Sequence, residues 1–253
     1  MIKINKGQAP VELIDAGLAL TNDMKSSFDK YSAQYQNADI VFNFTSAYKS
    51  KAVKDALRRV QFNKCCFTEA KFVRDDAHVE HFRPKGRIDE WPNGDTIYPG
   101  YYWLAYEWSN LFLCKSTTNS SNKRNFFPLE THSKRNKSHH DTYVEVALLI
   151  DPSMDEPRDH ITFKGDEPVA LTTKGKTTIE LLQLRNPDLE EARRTKMGYL
   201  SGLRSAIDLL LFSGMDLNDP QLTDLIGLLK YAVRPEAEFS SMAIDYLSGW
   251  PHL

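Results

Sequence analysis

The sequence predicts an α+β fold, a mainly helical frame with a central irregular insert and a small β-hairpin. Three observations predict it. Apolar residues recur at helical spacing towards both ends of the chain. Residues 61–130 lose that periodicity and are rich in aromatics, Pro, Gly, Asn and His. Two short apolar runs, Ile161–Phe163 and Val169–Leu171, flank the turn sequence GDEP.

The elements follow in order. Val11, Leu13, Ile14, Leu18 and Leu20, then Phe28, Tyr31 and Tyr35, predict a helix over residues 11–37. Thr45–Val60 reads as a second helix bearing Lys49, Lys51, Lys54, Arg58 and Arg59. Such a run makes either a solvated face or a phosphate-contacting one. Residues 131–141, THSKRNKSHHD, form a basic polar loop with the composition of a nucleic-acid contact or of a solvated loop, and its His-His pair can bind metal ions. Residues 143–151 end in the run ALLID before Pro152, which predicts a short strand and a turn. Helices are expected at Thr178–Leu184, Asp188–Phe212, Asp219–Val233 and Glu236–Leu247, separated by Asn-Pro, Gly and Arg-Pro breaks. Leu200, Leu203, Ile207, Leu210 and Leu211 form an apolar stripe suited to a core or a partner interface. The organisation is an N-terminal helical region (1–60), a central functional core (61–142) and a C-terminal hairpin and helical region (143–253), joined as one unit.

Composition narrows the function. The 253 residues are 41% hydrophobic and 26% charged, the profile of an ordinary globular protein. Val146–Ile150 and Leu209–Phe212 are too short to cross a bilayer. The N-terminus lacks a secretory pattern, so the expectation is a cytoplasmic protein with no membrane partner. The net charge of -2 confines any nucleic-acid contact to a local patch or a partner, and argues with the lack of a helix-turn-helix pattern against a stand-alone DNA-binding protein. Cys65, Cys66 and Cys114, an odd number, read as reduced thiols.

The chemistry concentrates in His78-Val79-Glu80-His81-Phe82-Arg83-Pro84-Lys85. A histidine can take a proton from water near neutral pH, and a carboxylate and an amide suit a hard divalent ion. Adjacent strand residues point opposite ways, so Glu80 and His81 converge only through a bend, for which Pro84 gives a reason. Downstream come Asn110-Leu111, then Asn119 and Lys123. Arg83, Lys85, Lys123 and Arg124 are expected phosphate contacts, against the alternative of ion pairs inside the fold. His78 is an accessory candidate or a solvent-facing histidine. The aromatics Tyr98, Tyr101, Tyr102, Trp103, Tyr106 and Trp108 read mainly as core, with base stacking as the alternative.

The order acid-His, Asn-Leu, then Asn with a following Lys resembles the ββα-metal finger of HNH endonucleases. That resemblance implies His81 as general base, Asn110 as the residue holding the base-orienting loop, and Glu80 and Asn119 as ligands of Mg²⁺ or Mn²⁺. HFRPK, GYYWLAYEWSNL, the FPL at Phe127–Leu129, LLIDP and the C-terminal helices resemble, more narrowly, the PtuB family, HNH subunits of Septu-type anti-phage systems that also occur as retron effectors. The resemblance implies a PtuA-like ATPase partner and a nucleic-acid substrate, DNA first and tRNA second. It also admits a retron reverse transcriptase and its msDNA as partners.

One departure is clear. The family usually carries two Cys-x-x-Cys pairs around a structural zinc. Here the positions in register are Cys65, Thr68, Lys115 and Thr118, with Cys114 one residue early. No structural zinc is expected; packing from Phe67, Phe72, Phe112 and Phe126 would hold the loop, and Glu69 nearby would be structural. The competing reading is a non-catalytic partner-binding subunit with a degenerate finger.

Overall fold

The computed structural model describes residues 1–73, 76–116 and 122–253. Helix α1 (Val11–Gln36) turns Leu13, Gly17, Met24, Phe28 and Tyr35 inward, a spacing that keeps them on one face. The stretch from Thr45 is not one helix. A 3-10 turn at Ser46–Lys49 stops at Ser50, whose side chain caps α2 (Lys51–Val60) by accepting from the Val53 N–H. A cap residue there favours a new start over continuation.

Among its described residues the central insert holds two short antiparallel pairs. β1 (Ala77–His81) pairs with β4 (Leu111–Lys115), in a register that sets Glu80 opposite Phe112 and His81 opposite Leu111. β2 (Ile88–Asp89) pairs with β3 (Thr96–Ile97). The expected strand over 143–151 does not form. Among its described residues only Ala147 bridges to Leu129, while Leu149 and Ile150 are buried as irregular chain. Ile150 N–H donates to the Thr178 hydroxyl, so a side chain supplies the partner that a ladder would have given.

The hairpin forms as β5 (Ile161–Lys164) and β6 (Glu167–Ala170), one residue longer at the first strand than the sequence predicts. The turn is Gly165-Asp166, with Gly165 at φ 62°, a conformation glycine adopts without strain. Four C-terminal helices follow: α3 (Thr173–Leu181), α4 (Pro187–Phe212), α5 (Pro220–Ala232) and α6 (Ser240–Leu247). α3 starts earlier than expected because Thr172 caps it through Gly175 N–H. α4 and α5 begin with Pro in the first turn after an Asn186 and an Asp219 cap. α6 starts later than expected, after Phe239 at φ 53° interrupts the helical path.

The architecture is thus α+β with six helices among the described residues. A large core draws on all three sequence regions, from Met1 and Leu13 through Phe67, Phe82 and Phe112 to Leu182 and Met242. A second core joins Leu200 and Ile207 of α4 to Leu222, Ile226 and Leu229 of α5 and Leu247 of α6. The Leu200–Leu211 stripe belongs to that core. No described helix is long and apolar enough to cross a membrane.

Candidate active site

β1 ends at His81, and the chain bends through Phe82–Pro84. The bend matters because Glu80 and His81 both line one cavity of about 560 Å³, shared with Phe44, Tyr48, Lys85 and Arg124. Gly100 makes the bend tight. It lies so near the Pro84 carbonyl that a Cβ would collide with it, and Tyr101 N–H donates to that carbonyl at 2.8 Å.

His81 is held by backbone. Its Nε2 lies 2.9 Å from the Ala105 carbonyl oxygen, an acceptor only, so Nε2 carries the proton and donates. Nδ1 is then the atom with a free lone pair. Burial first, with Lys85 and Lys123 adding to it, lowers the imidazole pKa to about 3. The ring is therefore neutral across the physiological range. Tyr48 meets it edge-on at 4.7 Å between ring centroids.

Asn110 holds the loop that presents Ala105. Its Nδ2 donates to the carbonyls of Leu104 and Arg83, each at 3.0 Å, and its Oδ1 accepts from Arg83 N–H at 2.7 Å. One amide thereby ties the residue beside Ala105 to the bend that follows His81. Lys6 in turn clamps the turn carrying Asn110, donating to the carbonyls of Trp108, Ser109 and Leu111.

Glu80 is 5% exposed and forms a 2.7 Å ion pair with Lys123. Burial raises its pKa, while Lys123 and Lys85 pull the other way. Lys123 is fully buried and also donates to the His81 carbonyl at 2.9 Å. The expectation of a phosphate contact at Lys123 is corrected by this placement: the ammonium is spent inside the fold. Arg83 is corrected too. Its guanidinium pairs with Glu145 at 3.2 Å and lies 5.1 Å from the Phe127 ring, away from the His81 cavity. Lys85 does line the cavity, 4.8 Å from the Tyr48 ring, and Arg124 lines it while exposed. His78 is exposed and outside the cavity lining, which leaves its solvent-facing reading. Asn119 lies outside the described residues.

The basic loop also changes meaning. Arg135 is 2% exposed and donates to the Tyr101 hydroxyl and the Phe127 carbonyl, so it is a strut and not a phosphate contact. Cys65 and Cys114 come together, their sulfurs 3.6 Å apart, and all three cysteines are buried and free. Phe67, Phe72 and Phe112 are buried nearby in the same core.

Sequence reasoning missed two site groups. The Ala105 carbonyl is a backbone atom and carries no sequence signal. Tyr48 sits in a 3-10 turn inside a stretch whose sequence is dominated by charges; the aromatic next to Lys49 is the available clue.

No family model matches this chain. It is 34% identical over 200 residues to the Septu protein PtuB of Bacillus mycoides (strain KBAB4), covering 76% of this chain and 66% of that protein. It is 25% identical over 190 residues to the Septu protein PtuB of Bacillus thuringiensis, covering 74% and 56%. The matched stretch thus spans 66% of the length of the first relative and 56% of the second. At that identity over most of its length, the chain belongs to the PtuB family of Septu proteins.

Proposed function

We propose that this chain is a metal-dependent HNH-type endonuclease acting in Septu anti-phage defence, with His81 as general base. The observation that carries the reading is the relay from Asn110 through the Leu104–Ala105 loop to His81 Nε2. A merely structural histidine does not need a second side chain to hold the loop whose carbonyl fixes it. The relay sets the tautomer, leaves Nδ1 as acceptor and aims a neutral imidazole at the cavity. Nδ1 takes the proton of the attacking water. Lys85, and Arg124 at the exposed wall, supply positive charge for a phosphate entering there.

The donor set fits a hard divalent cation: a buried carboxylate at Glu80, beside a base that is not itself charged. Glu80 would hold Mg²⁺ or Mn²⁺ together with Asn119, and the bound ion would polarise the scissile phosphate and neutralise developing charge. Two buried thiols with Thr68 and Lys115 do not make a four-cysteine zinc site, and we propose that phenylalanine packing replaces it. The relatives' shared name supports a PtuA-like partner; that this partner is an ATPase, and that the substrate is DNA, before tRNA, are parts of the same proposal.

A second reading rests on Lys123. Its ammonium already neutralises Glu80, as a metal ion would, and so favours a degenerate, partner-binding subunit. One experiment separates the two. The chain is assembled with its ATPase and incubated with plasmid DNA and with total tRNA in Mg²⁺ or Mn²⁺, beside the His81→Ala variant. Cleavage that disappears in the variant while assembly persists supports the nuclease. Phage protection that persists in His81→Ala sinks it in favour of the partner-binding subunit.

A further inference from the structure

We propose that Asp29, His139 and His140 form a separate site for a zinc-type divalent ion, which staples the basic loop onto helix α1. Asp29 comes from α1 and the adjacent His139 and His140 from the basic loop far along the chain, and they meet through one oxygen. Asp29 Oδ1 lies 2.7 Å from His140 Nε2 and 3.5 Å from His139 Nε2. The three ligand atoms all fall within 4.8 Å of one another. A tetrahedral ion with bonds of about 2.0–2.2 Å holds its ligand atoms about 3.3 Å apart. His139 and Asp29 already stand near that spacing, His140 has to withdraw from Asp29 by a fraction of an ångström, and the two imidazole nitrogens start within 4.8 Å of each other.

The imidazoles are held in position by other contacts. The Tyr102 hydroxyl, on a fully buried ring, lies 2.5 Å from His139 Nδ1. When Nδ1 carries the proton and donates to that oxygen, Nε2 keeps its lone pair toward Asp29. This is the outer-shell arrangement that orients metal-bound histidines. The loop is shaped independently of the histidine rings: Asp141 accepts from the N–H groups of Lys137 and Ser138, and Ser138 Oγ accepts from His140 N–H. Two imidazoles and a carboxylate suit zinc, and the exposure of Asp29 and His140 leaves a further position open to water. The site is apart from the Glu80–His81 cavity, since the Tyr102 ring stands between His139 and Phe42 of that cavity wall.

The test uses the full chain, with Zn²⁺ for stoichiometry and Co²⁺ as spectroscopic probe. With Mg²⁺ in excess to occupy the proposed Glu80–Asn119 site, we expect one zinc per chain, with the cobalt bands of nitrogen and oxygen ligands and no thiolate charge-transfer band. Binding should survive in His81→Ala and in Cys65→Ser, and be lost in Asp29→Asn and His140→Ala. Zinc should raise the melting temperature of the parent chain and leave that of the folded Asp29→Asn variant unmoved. No bound zinc at micromolar concentration overturns the proposal. So does zinc retained in both Asp29→Asn and His140→Ala, or a thiolate band that vanishes with Cys65→Ser. Because His81→Ala keeps this site, failure here and failure of the nuclease reading are distinguishable.

Discussion

At the scale of single residues, the decisive feature is an imidazole whose proton is placed by backbone. His81 donates through Nε2 to Ala105 and is kept neutral by burial and two lysines. The sign of the pH dependence follows. A base with a folded-state pKa near 3 is deprotonated well below the ordinary value of 6.5, so His81 gives no acid limb near pH 6.5. A kcat/KM profile measured from about pH 5 to 8 should therefore lack a His81 inflection; a clear loss of rate below about pH 6.5 that is absent for non-cleavage functions would contradict this assignment. Asn110→Ala releases two carbonyls and one N–H from the loop behind the base. Cleavage should fall by about 100-fold, with KM less affected than kcat, since small misplacement of a catalytic group has that effect. Steady-state kinetics on the assembled complex checks it.

At the scale of elements, buried ion pairs join segments distant in sequence. Glu69 accepts from the Met1 ammonium at 2.6 Å, from Lys64 at 3.4 Å and from Ser240 at 2.7 Å, binding the start of the insert to α6. Burial alone would raise its pKa; the Met1 ammonium and Lys64 overcome that and hold it well below the ordinary 4.5. A depressed carboxylate stabilises the fold above its unfolded-state pKa and loses that contribution as pH falls through the folded value. The chain should therefore lose stability progressively below about pH 4.5, and Glu69→Gln should flatten that loss. Glu69→Ala leaves two buried cations without a counter-charge and should cost about 3–5 kcal/mol in chemical denaturation. Lys123→Met strands Glu80 in the same way and should cost a similar amount. A cost under about 1 kcal/mol for Lys123→Met would mean that the carboxyl goes neutral when left alone, as burial already urges.

At the scale of the whole molecule, α4 runs between two cores. Its N-terminal Leu189 belongs to the large core with the candidate site, and its Leu200 and Ile207 belong to the C-terminal core. Leu222→Ala, at a fully buried position of that second core, should cost about 2–5 kcal/mol through lost burial and a residual cavity. The loss should register at Trp250, which sits in the same core, and leave cleavage intact at temperatures where the variant remains folded. Hydrogen exchange resolved along the chain would reveal protection lost in α5 and α6 alone; loss spread evenly to β1 and β4 would instead mean that the two cores unfold as one.

Residue type and order singled out His81, Glu80 and Asn110 as candidates, because proton transfer, metal ligation and loop holding each demand particular functional groups, and the fold brings Glu80 and His81 to one cavity with Asn110 behind them. Periodicity revealed α1, α4 and α5, whose apolar stripes repeat over several turns. The short elements were harder. Residues 143–151 alternate weakly, and a Thr178 hydroxyl took the place of a strand partner. The roles of Lys123, Arg83 and Arg135 were decided only by tertiary structure. A long cationic side chain finds a carboxylate or a phosphate by where its end arrives, and three-dimensional proximity to Glu80, Glu145 and Tyr101 fixed those ends inside the fold. The Ala105 carbonyl that orients His81 was invisible for a deeper reason: every residue has one, and only the path of the chain decides which of them faces His81.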